Sequence, residues 1–135
     1  MKKVIQIGAN HGVAIVEALI KQTAELDGYN VEIYMEQEPG SAGVESIDYY
    51  SRHVLKGHAF WGVKTTGSKS ERAAPVSSAA EAGNIRIVEG AWNGDFLDEI
   101  EAFPQGAHDD QVDALSGAFA QLVGKGDRMK AWKFG

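Results

Sequence analysis

A chain of 135 residues, 44% hydrophobic and 24% charged, has the size and composition of one globular domain, which excludes disordered and collagen-like classes. Its net charge of −6 excludes a whole-surface electrostatic grip on nucleic acid, and leaves room only for a local basic patch or a metal-bridged contact with phosphates. The lack of cysteine excludes disulfides and thiolate metal sites.

Met1-Lys2-Lys3 leads into Val4 to Ile7, a short apolar run bounded by glycine and read as a strand. It breaks at Gly8-Ala9-Asn10-His11, too soon for a signal-peptide core, and no later run approaches the roughly 18 apolar residues of a membrane span. Asn10 is a candidate cap for a helix in which Val16, Leu19, Ile20 and Ala24 recur at helical spacing, and Asp27-Gly28 ends it. Val31 to Glu36 alternates as a half-buried strand does. The loop Gln37 to Gly43 follows, then a helix over about Val44 to Leu55 stopped by Gly57, then a short strand over Ala59 to Val63.

Ser68-Lys69-Ser70-Glu71 has the spacing of a capping box. The helix it opens carries Pro75, so it is expected to kink or restart there, and Gly83-Asn84 closes it. Ile85 to Val88 is the last strand candidate. Asn93 is a candidate cap for a helix bearing Phe96, Leu97, Ile100 and Phe103 that ends at Pro104. The final helix is predicted from about Asp109 to Val123, with the apolar stripe Val112, Leu115, Phe119 and Leu122. Residues 1–123 are thus expected to form the domain, and residues 124–135 a basic, flexible tail that includes Trp132 and Phe134. The alternation of strands and helices predicts an α/β fold with a mostly parallel sheet flanked by helices.

Carboxylates gather at two element ends. Glu36 and Glu38 stand where a strand gives way to a glycine-rich loop, the usual place for a site in an open α/β sheet. Asp109, Asp110 and Asp113 stand at the start of the last helix, and the spacing of three puts Asp110 and Asp113 on one face. Converging carboxylates repel one another unless a cation relieves them, and oxygen-only ligands select hard ions such as Mg2+ or Mn2+. Two such ions about 3.5–4 Å apart can activate water and stabilise a leaving oxygen of a phosphodiester. The blander assignment is a cap or a dipole-stabilising acid for Asp109 and Asp110, and a solvated strand residue for Glu36. Asp113 is harder to dismiss in this way, because it sits beyond the cap position next to the buried side of the helix.

The string MEQEPGSAG from Met35, followed by TTGSKSERAAPVSSAAEAGNIRIVEGAWNGDFLDEIEAFPQGAHDDQVDALSGA from Thr65, resembles the nuclease domain of phage terminase large subunits. The loop E-x-E-P-G-S-A-G, the segment G-x-K-x-x-R-A-A-P and the ending F-P-x-G-x-H-D-D-x-x-D-A occur in the family's order, and the resemblance runs from about Gly12 to Val123. It implies an RNase H-like fold and a metal-dependent endonuclease using two Mg2+ or Mn2+ ions to cut concatemeric viral DNA during packaging. On that reading Glu36, Asp110 and Asp113 are the catalytic, metal-binding carboxylates, with Asp109 a further acid that could join them. Lys69 and Arg72 match basic positions and would face DNA phosphate, against the alternative of an ordinary solvated helix face. The implied partners are double-stranded viral DNA, the terminase ATPase domain and other packaging components, in the cytoplasm of the bacterial host and without a membrane.

The departures are informative. No G-x-x-x-x-G-K-S/T motif occurs, so the ATPase motor is not in this sequence. The family's first catalytic aspartate has no match, and the chain is expected to begin about two strands late, lacking the first strands of the family fold. Either Val4 to Ile7 then pairs with the Val31–Glu36 strand, or a second chain fills the gap in a homo-oligomer. The competing function is a non-catalytic DNA-binding or packaging-assembly remnant, with Lys125, Arg128, Lys130, Trp132 and Lys133 touching DNA by charge and stacking. A phosphate cradle at Ile7 to Gly12 lacks the full G-x-G-x-x-G spacing. No H-E-x-x-H pair supports a zinc hydrolase, and no G-x-S-x-G supports a serine hydrolase.

Overall fold

The computed structural model of the chain describes residues 13–133, with side chains described through residue 124. The expected strand Val4 to Ile7 and the Asn10 cap lie outside the described residues. Among those residues the fold is α/β: five α-helices and a two-stranded parallel sheet, as the alternating pattern predicts. The chain forms two compact units, the first ending at Thr66 and the second beginning at Gly67.

In the first unit, α1 (Val13–Asp27) ends where Gly28 takes φ +81°, a left-handed conformation that costs glycine little. Strand β1 (Ile33–Gln37) pairs in parallel with β2 (Phe60–Lys64), in a register that sets Tyr34 beside Trp61 and Glu36 beside Val63. Tyr34 and Trp61 stack at 5.3 Å between ring centres, so the cross-strand pair locks that register. Parallel strands need a crossover, and α2 (Ser41–Tyr49) supplies it. The single helix expected over Val44 to Leu55 starts earlier and changes character at Tyr50. Residues Tyr50–Val54 form a π-helical stretch, closed by Leu55 N–H donating to the Tyr50 carbonyl at 2.7 Å. The core is small: Ala24, Val54 and Leu55 are buried, with Ile20, Ile33, Tyr50 and Phe60 packed around them.

The Pro39-Gly40 turn places β1 against α2. Gly40 has φ +88°, and a side chain at Gly43 would collide with the backbone of Glu38. The glycines of E-x-E-P-G-S-A-G therefore allow a left-handed turn and a close backbone approach directly after Glu36.

In the second unit, α3 (Lys69–Glu81) and α4 (Asn93–Ala102) each pack against α5 (Asp110–Lys133). Helix α3 runs through Pro75 as one element, neither restarting nor ending there. Three expectations are corrected. Ile85 to Val88 forms no strand: no ladder partner lies beside it among the described residues, and Ile87 and Val88 are exposed. Asn93 does not cap α4. Trp92 holds the cap position, and the Asn93 side chain instead ties the preceding loop, accepting from Gly90 N–H at 2.7 Å and donating to the Val88 carbonyl at 3.1 Å. Helix α5 passes the end expected near Val123 and continues to Lys133.

Candidate functional site

Glu36 lies one residue before the end of β1, exposed, and accepts a hydrogen bond from Thr65 Oγ1 at 2.6 Å. Thr65 follows directly after β2, so the two parallel strands deliver donor and acceptor to the same sheet end. The remaining candidates belong to the second unit.

There the segment Gly67 to Arg72 can be decoded residue by residue. Gly67 adopts φ +79° and turns the chain. Ser68 Oγ accepts from Glu71 N–H at 3.2 Å, and Glu71 Oε2 accepts from Ser68 N–H at 2.6 Å, completing the expected capping box. Hydrogen bonding from Ser68, its backbone N–H first and its hydroxyl second, holds the Glu71 carboxyl below its ordinary range. With the first turn of α3 fixed, Lys69 and Arg72, three apart, share a face.

That face meets the first turn of α5. Lys69 Nζ lies 2.6 Å from Asp109 Oδ2 and 2.9 Å from Asp113 Oδ2. Arg72 Nη2 lies 3.4 Å from Asp113 Oδ1, so both oxygens of Asp113 face cations. The hydrogen bonds that Lys69 donates to Asp109 and then to Asp113 raise its pKa well above its ordinary value, which keeps the ammonium charged. Asp109 and Asp113 are four apart and stack one turn above the other, whereas Asp110 is rotated about 100° from Asp109 and about 60° from Asp113 and stands exposed. The structure thus brings Asp109 and Asp113 to a single cation and turns Lys69 and Arg72 toward both carboxylates. Asp110 does not join this cluster. Glu36 belongs to the first unit.

The sequence reading passed over two residues that hold candidate acids or their helix in place, Glu99 in the second unit and Thr65 in the first. Glu99 of α4 is buried, and its Oε1 accepts from the backbone N–H groups of Gln111 at 2.6 Å and Val112 at 3.1 Å. Its Oε2 accepts from Gln111 Nε2 at 2.9 Å. A signal for this existed. Phe96, Glu99, Ile100 and Phe103 sit at helical spacing, so Glu99 falls on the apolar face, and an acid there needs buried donors. Thr65 carried no such signal, because its partner is 29 residues away.

Asp109 and Asp113 present hard oxygen donors to one positive centre. Such donors suit Mg2+ or Mn2+, and Mg2+ is commonly held by only one or two carboxylates together with water and substrate phosphate. Among the described residues no three His, Cys, Asp or Glu side chains group closely enough to hold a metal ion by themselves. No helix among them is long and apolar enough to cross a membrane.

In a comparison with known families, residues 10–122 match the family described as Terminase RNaseH-like domain. No curated protein and no solved structure matches significantly.

Proposed function

The chain belongs to the terminase RNase H-like domain family, a nuclease-type family, and from that premise we propose that it is a metal-dependent DNA endonuclease domain that cuts concatemeric viral DNA during phage genome packaging. The observation that carries this reading is the convergence of Asp109 Oδ2 and Asp113 Oδ2 on one cationic nitrogen. Asp109 and Asp113 would hold a Mg2+ or Mn2+ ion, with Asp110 of the same turn as a further acid. A bound divalent ion supplies Lewis-acid activation of water and neutralises charge on the phosphodiester. The chain's own groups do the rest. Asp109 and Asp113 fix the position of positive charge, and Arg72 orients Asp113. Lys69 holds the two carboxylates together in the metal-free protein and, once displaced, is free to meet a DNA phosphate. The partners on this reading are double-stranded viral DNA, the terminase ATPase domain and other packaging components, in the host cytoplasm, with a homo-oligomer as the assembled form.

A second reading, a DNA-binding or packaging-assembly remnant that does not cleave, is favoured by one observation. Lys69 and Arg72 already neutralise Asp109 and Asp113. Cleavage of supercoiled plasmid with Mn2+ or Mg2+, beside Asp113→Ala and a metal-free control, separates the two. Metal-dependent nicking that vanishes in Asp113→Ala supports the endonuclease. DNA binding that weakens with salt, with no nicking at any metal concentration, supports the remnant.

A further inference from the structure

The first turn of α5 has an unusual arrangement of donors and acceptors. Asp113 N–H donates to the Asp109 carbonyl at 2.9 Å, which makes Asp109 the capping residue of the helix. An aspartate in that position ordinarily turns its own carboxylate onto the N–H groups two and three residues ahead. Here those groups belong to Gln111 and Val112, and both are taken by Glu99. The Asp109 carboxylate is instead turned outward onto Lys69, beside Asp113.

We propose that Glu99 is the positioning residue of the acidic site: by capping α5 from a neighbouring helix it releases the Asp109 carboxylate to face a cation together with Asp113. The cation is Lys69 in the metal-free protein. That it is a divalent ion in the working protein rests on the function proposed above.

Glu99 also fixes the rotation of the turn. It holds the two residues that separate Asp110 from Asp113, through three hydrogen bonds to two oxygens of one buried carboxylate. Val112 is itself buried, and Ser116, one turn further on, is buried and donates to the Val112 carbonyl at 2.7 Å. A carboxylate about 5–6 Å from the helix axis moves about 0.5 Å for a rotation of about 5°, and that is the tolerance of a preorganised site. Three anchors on adjacent groups suppress such rotation, and the side-chain bond to Gln111 keeps the Glu99 carboxylate from swinging away from the two amides.

Two substitutions separate positioning from charge. Glu99→Asp keeps the charge but shortens the reach by about 1.5 Å, so it cannot hold both amides. Glu99→Gln loses the charge but keeps the reach: its Oε1 accepts from Gln111 and Val112, and its amide donates to the Gln111 side chain once that group turns over. If Glu99 acted only as a negative charge near a helix N-terminus, the aspartate variant would be the milder one. Positioning makes the glutamine variant the milder one.

The experiment combines each variant with Asp109→Ala and reads thermal unfolding without metal, then Mn2+ affinity by calorimetry for the single variants. In the wild-type and Glu99→Gln backgrounds, Asp109→Ala should lower the melting temperature by similar amounts. In Glu99→Asp the drop should be at least about twice as large, because Asp109 has turned inward to cap the helix and is lost as a cap too. Mn2+ affinity should fall about tenfold or more in Glu99→Asp and stay near the wild-type value in Glu99→Gln. Equal drops across the three backgrounds, or Mn2+ affinity lost equally in both variants, would overturn the proposal. If wild-type protein binds no Mn2+, the metal-dependent function fails, and the unfolding comparison still decides the role of Glu99.

Discussion

Lys69 stands where the proposed metal would bring its charge, so removing it tests whether the acidic pair is a cation site held in reserve. Lys69→Met keeps most of the stem and deletes the ammonium. The Lys69 side chain is 47% accessible, against 30% for Asp109 and 20% for Asp113, so the two ion pairs are only partly shielded from water. Exposed pairs contribute about 0.2–1 kcal/mol each, and with this exposure the two together contribute about 1 kcal/mol. Deletion also leaves two neighbouring carboxylates with only Arg72 beside Asp113, a repulsion of at most about 1 kcal/mol in a solvated setting. The metal-free protein should therefore lose about 1–2 kcal/mol of stability. A divalent ion must displace the same ammonium, so its affinity should rise by the corresponding factor of about 5–30.

The assay is Mn2+ calorimetry on wild type and Lys69→Met, with thermal melts with and without metal. The variant should melt lower without Mn2+ and gain more from adding it. The pH dependence has a definite sign. The Lys69 pKa is raised in the folded state, so its stabilisation is fully present below its ordinary value of 10.5 and disappears only as pH rises through the higher folded value. The wild-type advantage over Lys69→Met should hold unchanged across the neutral range. An unaltered or weakened Mn2+ affinity in Lys69→Met would refute the reasoning, because the ammonium would then not be competing for the metal position.

Other predictions concern the elements that hold the candidate residues. Gly43→Ala should destabilise the first unit by about 1–3 kcal/mol or more, because its new methyl meets the Glu38 backbone. Gly62→Ala should cost less, since it meets the movable side chains of Ile47 and Gln37, and urea unfolding of both variants gives the order. Leu55→Ala removes the most deeply buried side chain of a small core and should cost about 2–5 kcal/mol, seen as loss of the cooperative thermal transition. Glu71 has a lowered pKa, so its capping contribution is present above its ordinary value of 4.5 and is lost as pH falls through the folded value. Glu71→Gln should flatten the fall in melting temperature over that acidic range, which circular dichroism melts at stepped pH will show.

What could be read from the sequence was whatever depends on near neighbours. The capping box at Ser68 and Glu71 and the end of α1 at Asp27-Gly28 are contacts within a few residues, and each appears as expected; the strand expected over Val31 to Glu36 forms as Ile33–Gln37, without alternating burial. The misses share a cause. Ile85 to Val88 has strand composition, but a strand exists only with a partner, and partnership is not a local property. Asn93 has cap chemistry, but its amide is better used on Gly90 and Val88, which fold back onto it. Gly124 and Gly126 resemble a helix stop, yet α5 runs on to Lys133, since an isolated glycine costs a helix only about 1 kcal/mol.

The site divides along the same line. That acids crowd the start of the last helix is visible in the string H-D-D-Q-V-D, but which acids converge is not. Spacing alone pairs Asp110 with Asp113, three apart, as readily as Asp109 with Asp113, four apart. The choice is made by residues on two other helices. Lys69 draws Asp109 and Asp113 onto one point, and Glu99 takes the amides that would otherwise have drawn Asp109 inward. Asp109 was ambiguous in the sequence because one side chain can serve as a cap or as a ligand, and the ambiguity ends once another carboxylate does the capping. It follows that the second aspartate of the H-D-D motif cannot stand in for the first. Moving the carboxylate from Asp109 to Asp110 turns it about 100° round the helix, away from Lys69 and from any ion that replaces it.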